Sequence, residues 1–137
     1  GLKQLIRLIA ETGARAQQDP SLTALREPLE QLVNRLQGVT IGLLTDLAEG
    51  KVNSSLANSA LYLKVFGHTV IGWRWLEQAI RAQEGLDKGN AADSEFYQGK
   101  LQAARYFLTW ELPACHHDLH LLQSRDDTCL AMDDAWF

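Results

Sequence analysis

The sequence predicts an all-α fold, an up-down-up-down four-helix bundle followed by a short acidic tail. Apolar residues recur every three or four positions, as on one face of an α-helix, and no stretch alternates like a half-buried strand. Breaks in this pattern leave four long segments with short connections, which favour antiparallel neighbours. We expect a bundle over 1–123 and a tail over 124–137, with helices near 1–18, 20–49, 53–85 and 93–123.

Prolines shape the first two segments. Asp19-Pro20 divides them, because proline disfavours a helical residue before it and suits the first turn of the next helix. Pro28 lies inside the second segment and removes one backbone hydrogen bond, so we expect a kink there. The apolar seam of this segment contains Leu22, Leu25, Leu29, Leu32, Leu36, Val39, Leu43 and Leu47.

The third segment begins near Asn53-Ser54, two residue types that cap helix N-termini, and it fades at Gly85. Residues 87–90 (Asp-Lys-Gly-Asn) predict a turn. Apolar residues on several sides of this helix indicate that protein surrounds most of it.

The fourth segment is expected to be capped near Asp93 or Ser94. Pro113 should kink it, because the bond to the Thr109 carbonyl is lost. The tail ends in Trp136-Phe137, and a tail with two large terminal aromatics is expected to dock on another surface.

Composition limits the classes of function. The net charge is −4, and from Glu111 onward six carboxylates stand against one base, Arg125, so no nucleic-acid-binding surface is indicated. Cys115 and Cys129 form no CxxC pair, which favours free thiols in a reducing, cytoplasmic compartment. No apolar run approaches the roughly 18 residues of a transmembrane helix, and we expect no such segment.

Residues 115–120 read CHHDLH and place a cysteine, three histidines and an aspartate within six positions. At about 100° per residue, Cys115 falls on the apolar stripe, His116 and His120 share one flank, Asp118 lies on the other flank, and His117 points away from the core. A metal would need a third protein ligand, and the glutamate of HExxH is replaced by His117. Cys115 and His116 are adjacent and diverge, so they do not form a nucleophile and base. We favour a solvated helix flank.

Other cofactor motifs are weak. No Glu-x-x-His occurs, which argues against a di-iron bundle. The pairs Gly38/Gly42 and Gly67/Gly72 lie within helices and predict close helix approach opposite Trp73, Phe66 or Tyr62, not a phosphate loop. Trp75 and Trp110 lie off the apolar seams and predict an exposed aromatic face that contacts another domain or subunit.

Two stretches together resemble a known family. Residues 60–75 contain YLKVFGH followed by GWRW, and residues 96–113 contain FYQGKLQAARYF followed by Leu112-Pro113. This order is similar to the extra C-terminal helical domain of bacterial acyl-CoA dehydrogenases of the 3-methylmercaptopropionyl-CoA dehydrogenase type. The resemblance extends from the first segment to about Gln123 and does not reach a catalytic motif.

The resemblance implies a longer parent enzyme that binds FAD and oxidises an acyl-CoA to a 2-enoyl-CoA. In such enzymes a glutamate takes the C2 proton and the flavin takes the hydride, and both belong to preceding domains. The resemblance therefore implies no catalytic, cofactor-binding or metal-binding residue in this chain. It implies that the chain is inactive alone, packs against the preceding domains and favours a homodimer.

Tyr97, Lys100 and Arg105 are the polar members of the second family-like stretch, and we hypothesise that they cap the bundle or dock it on its parent. Lys100 and Arg105 lie about 140° apart on a helix, so one contact cannot easily use both. Two alternatives remain open at this point. One is a stand-alone helical interaction module, and the other is a metal-binding bundle that uses His116 and His120.

Overall fold

The computed structural model describes residues 1–89 and 91–137, and this part of the chain contains helices and turns but no strand. The all-α prediction is confirmed. The helices, named in chain order, are α1 (Leu2–Ala16), α2 (Thr23–Ala48), α3 (Val52–Leu56), α4 (Ser59–Asp87), α5 (Ser94–Tyr106) and α6 (Cys115–Gln123).

The first break lies where the sequence predicts it. α1 ends at Ala16, and Pro20 opens a 3-10 turn, Pro20–Leu22, that leads into α2. The Asp19 carboxylate accepts a hydrogen bond from the Ser21 backbone N–H at 2.9 Å and so caps this turn.

α2 continues as one α-helix through Pro28. Its apolar seam is buried as far as Val39, but the last two positions of the seam are not. Leu43 is only half-buried and Leu47 is exposed. The reason is that α3 and the start of α4 do not cover this end of α2, and an apolar groove remains between them.

The third segment is divided, where one continuous helix near 53–85 was expected. α3 ends at Leu56, α4 begins at Ser59, and Asn58 leaves the helical conformation with φ −110° and ψ 32°. Its side-chain amide donates to the Asp126 carbonyl at 2.8 Å, so the break attaches this segment to the tail. The expected turn at 87–90 begins as α4 ends, with Gly89 at φ 71°, while Asn90 lies outside the described residues.

The fourth segment begins at Ser94 with Asp93 as its N-cap residue, as predicted. It is irregular before Pro113. A π-helical turn, Phe107–Glu111, and a 3-10 turn, Leu112–Ala114, separate α5 from α6. Pro113 has no N–H to donate to the Thr109 carbonyl, so one i to i−4 bond is missing within this irregular stretch.

Leucines from α2, α4 and the fourth segment form the core. The side chains of Leu29, Leu36, Leu76, Leu108, Leu112 and Leu119 are fully buried. Burying each contributes about 1.5–3 kcal/mol.

One helical glycine lies inside this core. A Cβ at Gly72 would stand 3.1 Å from Leu29 Cδ1, so the predicted close approach holds there, against leucines and not aromatics. The same prediction is wrong for Gly38 and Gly67, where an added Cβ would meet nothing within 4 Å.

The start of the tail is bonded to α2, and its last residues are exposed. Arg125 Nε donates to Asp46 Oδ2 at 2.7 Å, which ties the start of the tail to α2. The expected docking of the two terminal aromatics does not occur within this chain, because Trp136 and Phe137 are 69% and 92% exposed. Across the described residues, none of the helices has the length and apolarity to cross a membrane.

Candidate functional site

The CHHDLH stretch forms the first turns of α6, and Cys115 and His117 lie where helical geometry predicts. Cys115 is buried, and His117 and His120 are exposed. Burial raises the pKa of the Cys115 thiol, and the nearby Asp118 charge acts in the same direction. A protonated, buried thiol is a weak nucleophile, so Cys115 acts as a core side chain.

His116 is held by α2. The guanidinium of Arg35 lies with Nη1 2.7 Å from His116 Nδ1 and donates a further bond to the His116 carbonyl at 3.3 Å. Burial lowers the pKa of His116, and the Arg35 charge lowers it further. Neutral Nδ1 therefore accepts the hydrogen bond, and this nitrogen is not available to a metal.

Asp118 was expected on a flank, but its side chain is only 9% exposed. Lys64 Nζ from α4 lies 2.8 Å from Asp118 Oδ2, and contact with this carboxylate raises the pKa of the Lys64 amine. Asp118 follows buried Cys115 by three positions, and residues at this spacing are neighbours on a helix surface, which could have indicated its burial. The ion pair joins α4 to α6.

These residues do not assemble a catalytic or metal centre in the part of the chain that the structure describes. Within it, His, Cys, Asp and Glu side chains nowhere form a group of three or more that could hold a metal ion. What the arrangement can do is hold α6 to its neighbours through the Arg35–His116 bond and the Lys64–Asp118 pair.

The three polar residues of the family-like stretch lie in different environments. Tyr97 packs on α4, where a methyl group at Gly85 would overlap its ring. Lys100 Nζ lies 5.9 Å from the ring centre of Trp75 and 5.5 Å from that of Phe96. Arg105 is exposed and lines a surface groove of about 620 Å³. Tyr97 and Lys100 thus make contacts within the chain, while Arg105 is presented outward.

Exposed aromatics mark a second surface. Trp110 is 73% exposed and stacks with exposed Tyr106 at a ring-centre distance of 6.3 Å. The Tyr106 hydroxyl donates to Glu111 Oε1 at 2.8 Å, which fixes the ring. The prediction that the aromatic side chain is exposed is confirmed for Trp110. It is wrong for Trp75, which is half-buried against the core beneath Lys100.

The sequence did not reveal the apolar groove at the end of α2. It has a volume of about 200 Å³, and its lining includes Leu43, Leu44, Leu47, Leu56, Tyr62 and Leu122. The one sequence feature that indicates this groove is the leucine seam of α2, which continues beyond the part that a partner helix covers.

Comparison with known proteins shows what this helical chain is related to. The model of the family described as acetyl-CoA dehydrogenase C-terminal like matches residues 5–133, which is nearly the whole chain. The chain belongs to this family. The matched residues include most of α1, all of α2 to α6 and both family-like stretches.

A curated relative supports the same assignment to the dehydrogenase C-terminal family. The broad-specificity linear acyl-CoA dehydrogenase FadE5 of Mycobacterium tuberculosis is 31% identical over 80 residues. These residues are 58% of this chain but only 13% of that relative, so the chain corresponds to a small part of its length.

Proposed function

We propose that this chain is the C-terminal helical domain of a longer, FAD-dependent acyl-CoA dehydrogenase and that its role there is structural. The observation that carries the proposal is the family match over residues 5–133, together with the small share of the dehydrogenase relative that the chain covers. The parent would oxidise an acyl-CoA to a 2-enoyl-CoA in the cytoplasm. The two family-like stretches favour the 3-methylmercaptopropionyl-CoA dehydrogenase branch.

The residues of this chain do not fit FAD. The apolar groove of about 200 Å³ is smaller than the roughly 300–1,000 Å³ of sites for compounds of drug size. The groove of about 620 Å³ beside Arg105 is lined by Ser, Gln, Thr and Arg side chains together with Ala24, Leu25 and Leu101. Its lining contains no glycine-rich turn of the kind that leads into a helix N-terminus and binds a pyrophosphate. We therefore assign flavin binding and proton abstraction to the rest of the parent, and we expect this chain alone to be inactive.

The bundle topology belongs to the same proposal. Thr40 Oγ1 bonds Tyr62 Oη at 2.8 Å, and Leu29 contacts Gly72, so residue numbers rise along α2 as they fall along α4. Between the third and fourth segments, Lys64 meets Asp118 and Gly85 meets Tyr97, again in opposite order. Between α2 and the end of the chain the order is the same, with Arg35 at His116 and Asp46 at Arg125. These pairs support alternating directions for the second, third and fourth segments, as an up-down-up-down arrangement requires.

We propose bends at Pro28 and Pro113 as part of this arrangement. The π-helical and 3-10 turns that precede and include Pro113 support the second bend. A bend there would turn α6 relative to α5, which would let its residues reach both α2 and α4.

The domain would dock through its exposed aromatics and Arg105. Interfaces are enriched in aromatic and arginine side chains, and Trp110 and Phe96 are both more than half exposed. In this proposal Arg105 contacts the preceding domains, while Tyr97 and Lys100 hold α5 against α4 so that the docking side chains are presented correctly. The docked domain would favour a homodimer of the parent.

Removing the domain from the full-length protein tests the structural role. We expect a parent that lacks residues 1–137 of this chain to bind FAD but to lose its dimer and part of its thermal stability. Trp110→Ala and Arg105→Ala in the intact parent should shift both measurements in the same direction. His117→Ala, an exposed change on α6, serves as the control. Unchanged assembly and stability in the truncated protein would refute the structural role.

A further inference from the structure

A polar groove between α2 and the end of α6 has no role in the proposed function. It has a volume of about 430 Å³ and is lined by Arg35, Gly38, Val39, Gly42, Gln123 and Arg125. The groove thus has two arginines in its lining, beside a stretch of α2 that carries two glycines.

Arg35 carries a charge that its neighbours do not cancel. Its Nη1 bonds the neutral ring and the carbonyl of His116, and none of the ion pairs among the described residues includes Arg35. The side chain is nevertheless half-buried. Because a cation removed from water is normally paired with an anion, this groove has one uncompensated positive charge.

Arg125 is held in place at the other end of the groove. It has φ 54°, in the left-handed region that residues other than glycine seldom adopt. Nε donates to Asp46, and Nη1 donates to the carbonyls of Leu122 and Gln123. Nη2 of Arg125 lies close to Gly42, since a Cβ added to this glycine would stand only 2.8 Å from it. No hydrogen bond within the described residues uses this Nη2 group. Gly42 thus clears the space for a fixed guanidinium with an unused donor.

Gly38 keeps the floor of the groove open. A Cβ there would meet nothing within 4 Å, so the packing of the chain does not require glycine at this position. A glycine inside a helix costs about 1 kcal/mol relative to alanine. The open helix surface lies between the positions of the two arginines.

We propose that this groove binds an oxyanion of a small molecule, a phosphate or a carboxylate group, through the guanidinium groups of Arg35 and Arg125. Guanidinium presents planar, paired donors that match both oxyanions and form charge-assisted hydrogen bonds. The surrounding sequence is acidic from Glu111 onward, so general attraction of anions to this end of the chain is not expected. The site is independent of the proposed dehydrogenase parent.

NMR titration of the ¹⁵N-labelled chain tests the site. Inorganic phosphate and acetate are added separately at constant ionic strength, with sodium chloride as the blank. We expect saturable shifts of the Gly38 and Gly42 amides and of the Arg35 and Arg125 Nε–H signals. Saturation by phosphate alone assigns a phosphate ligand, saturation by acetate alone assigns a carboxylate, and saturation by both assigns the shared oxyanion chemistry.

Two variants test separately the positive charge of Arg35 and the open space above Gly38. Arg35→Gln removes the uncompensated charge and should weaken binding about tenfold or more. Gly38→Leu keeps both arginines but fills the groove, and it should abolish binding while the helix still forms, since the added side chain enters open space. Arg7→Gln, which makes the same charge change on exposed α1, should bind as the unmodified chain does.

Shifts that do not saturate, that spread over exposed lysines and arginines, or that persist unchanged in Arg35→Gln and Gly38→Leu would overturn the proposal. Circular dichroism reports whether each variant is folded. If Arg35→Gln unfolds, Gly38→Leu decides the question alone.

Discussion

The guanidinium of Arg35 on α2 and the imidazole of His116 on α6 are joined by a hydrogen bond of 2.7 Å between Nη1 and Nδ1. The two residues are far apart in sequence, and their contact fixes the relative position of two helices. The bond requires neutral His116, because a protonated ring would present a second donor and a second positive charge to Arg35.

The first prediction is a loss of stability at acidic pH through His116. Its pKa in the folded chain is lowered from the usual 6.5, mainly by burial and then by Arg35, so the unfolded chain binds the proton more tightly. The stability that neutral His116 contributes is fully present above the pKa of this residue in the unfolded chain. It is lost as the pH falls through the lower pKa of His116 in the folded chain. Urea unfolding gives the free energy of unfolding at about pH 7.5 and about pH 5.5. This free energy should change less between the two pH values for His116→Gln than for the unmodified chain. His117→Gln should keep the original difference, and an equal effect of both substitutions would argue against the Arg35–His116 account.

The second prediction separates two glycines of α4. Gly72→Val should lower the free energy of unfolding by about 1–3 kcal/mol, because the new side chain is forced against Leu29 and Leu112. Gly67→Val places the same side chain in open space and should change the free energy of unfolding by less than about 0.5 kcal/mol. Chemical denaturation measures both. Equal losses would show that Gly72 does not lie in a closely packed contact.

The third prediction concerns the ion pair between α4 and α6. The Asp118 side chain is 9% exposed and that of Lys64 is 51% exposed, so the two removals are not equivalent. Lys64→Met leaves a buried carboxylate without its cation and should cost about 1–3 kcal/mol. Asp118→Asn should cost less, because Lys64 can return to water. The same denaturation experiment ranks the two variants, and the reverse order would contradict the burial of Asp118.

The fourth prediction tests the contact of α4 with α5 by a double-mutant cycle. Gly85→Ala should lower stability, because the new methyl group displaces the Tyr97 ring. In a Tyr97→Ala background the same change should raise stability by up to about 1 kcal/mol, since alanine favours the helix. Thermal or urea unfolding of the four proteins gives the coupling energy, expected at about 1 kcal/mol or more. A coupling near zero would place the ring elsewhere.

Periodicity was sufficient to predict the all-α class, and local breakers and capping residues indicated where the second and fourth segments begin. The leucine seam of α2 and the breaks at Pro20 and Asp93 depend on local chemistry, which a single sequence displays directly. The break at Asn58 does not, because its cause is a hydrogen bond to the Asp126 carbonyl, a residue that is distant in sequence.

The polar contacts of the candidate site were harder to predict for the same reason. Helical projection placed Cys115 in the core and His117 in solvent, since those positions depend on one helix alone. The partners of His116 and Asp118 lie on α2 and α4, and only the packed structure brings Arg35 and Lys64 to them. Gly38 and Gly72 look alike in sequence, but the groove above Gly38 and the leucines around Gly72 depend on how the helices are arranged.

The most direct test of the central claim is the flavin absorbance of two proteins, the complete polypeptide that contains this chain and the chain alone. Each is purified and mixed with acyl-CoA under anaerobic conditions. We predict that the complete polypeptide is yellow and is bleached by acyl-CoA, while the chain alone is colourless and unchanged. Stoichiometric FAD in the isolated chain, or a complete polypeptide that has no flavin and does not respond to acyl-CoA, would contradict the account.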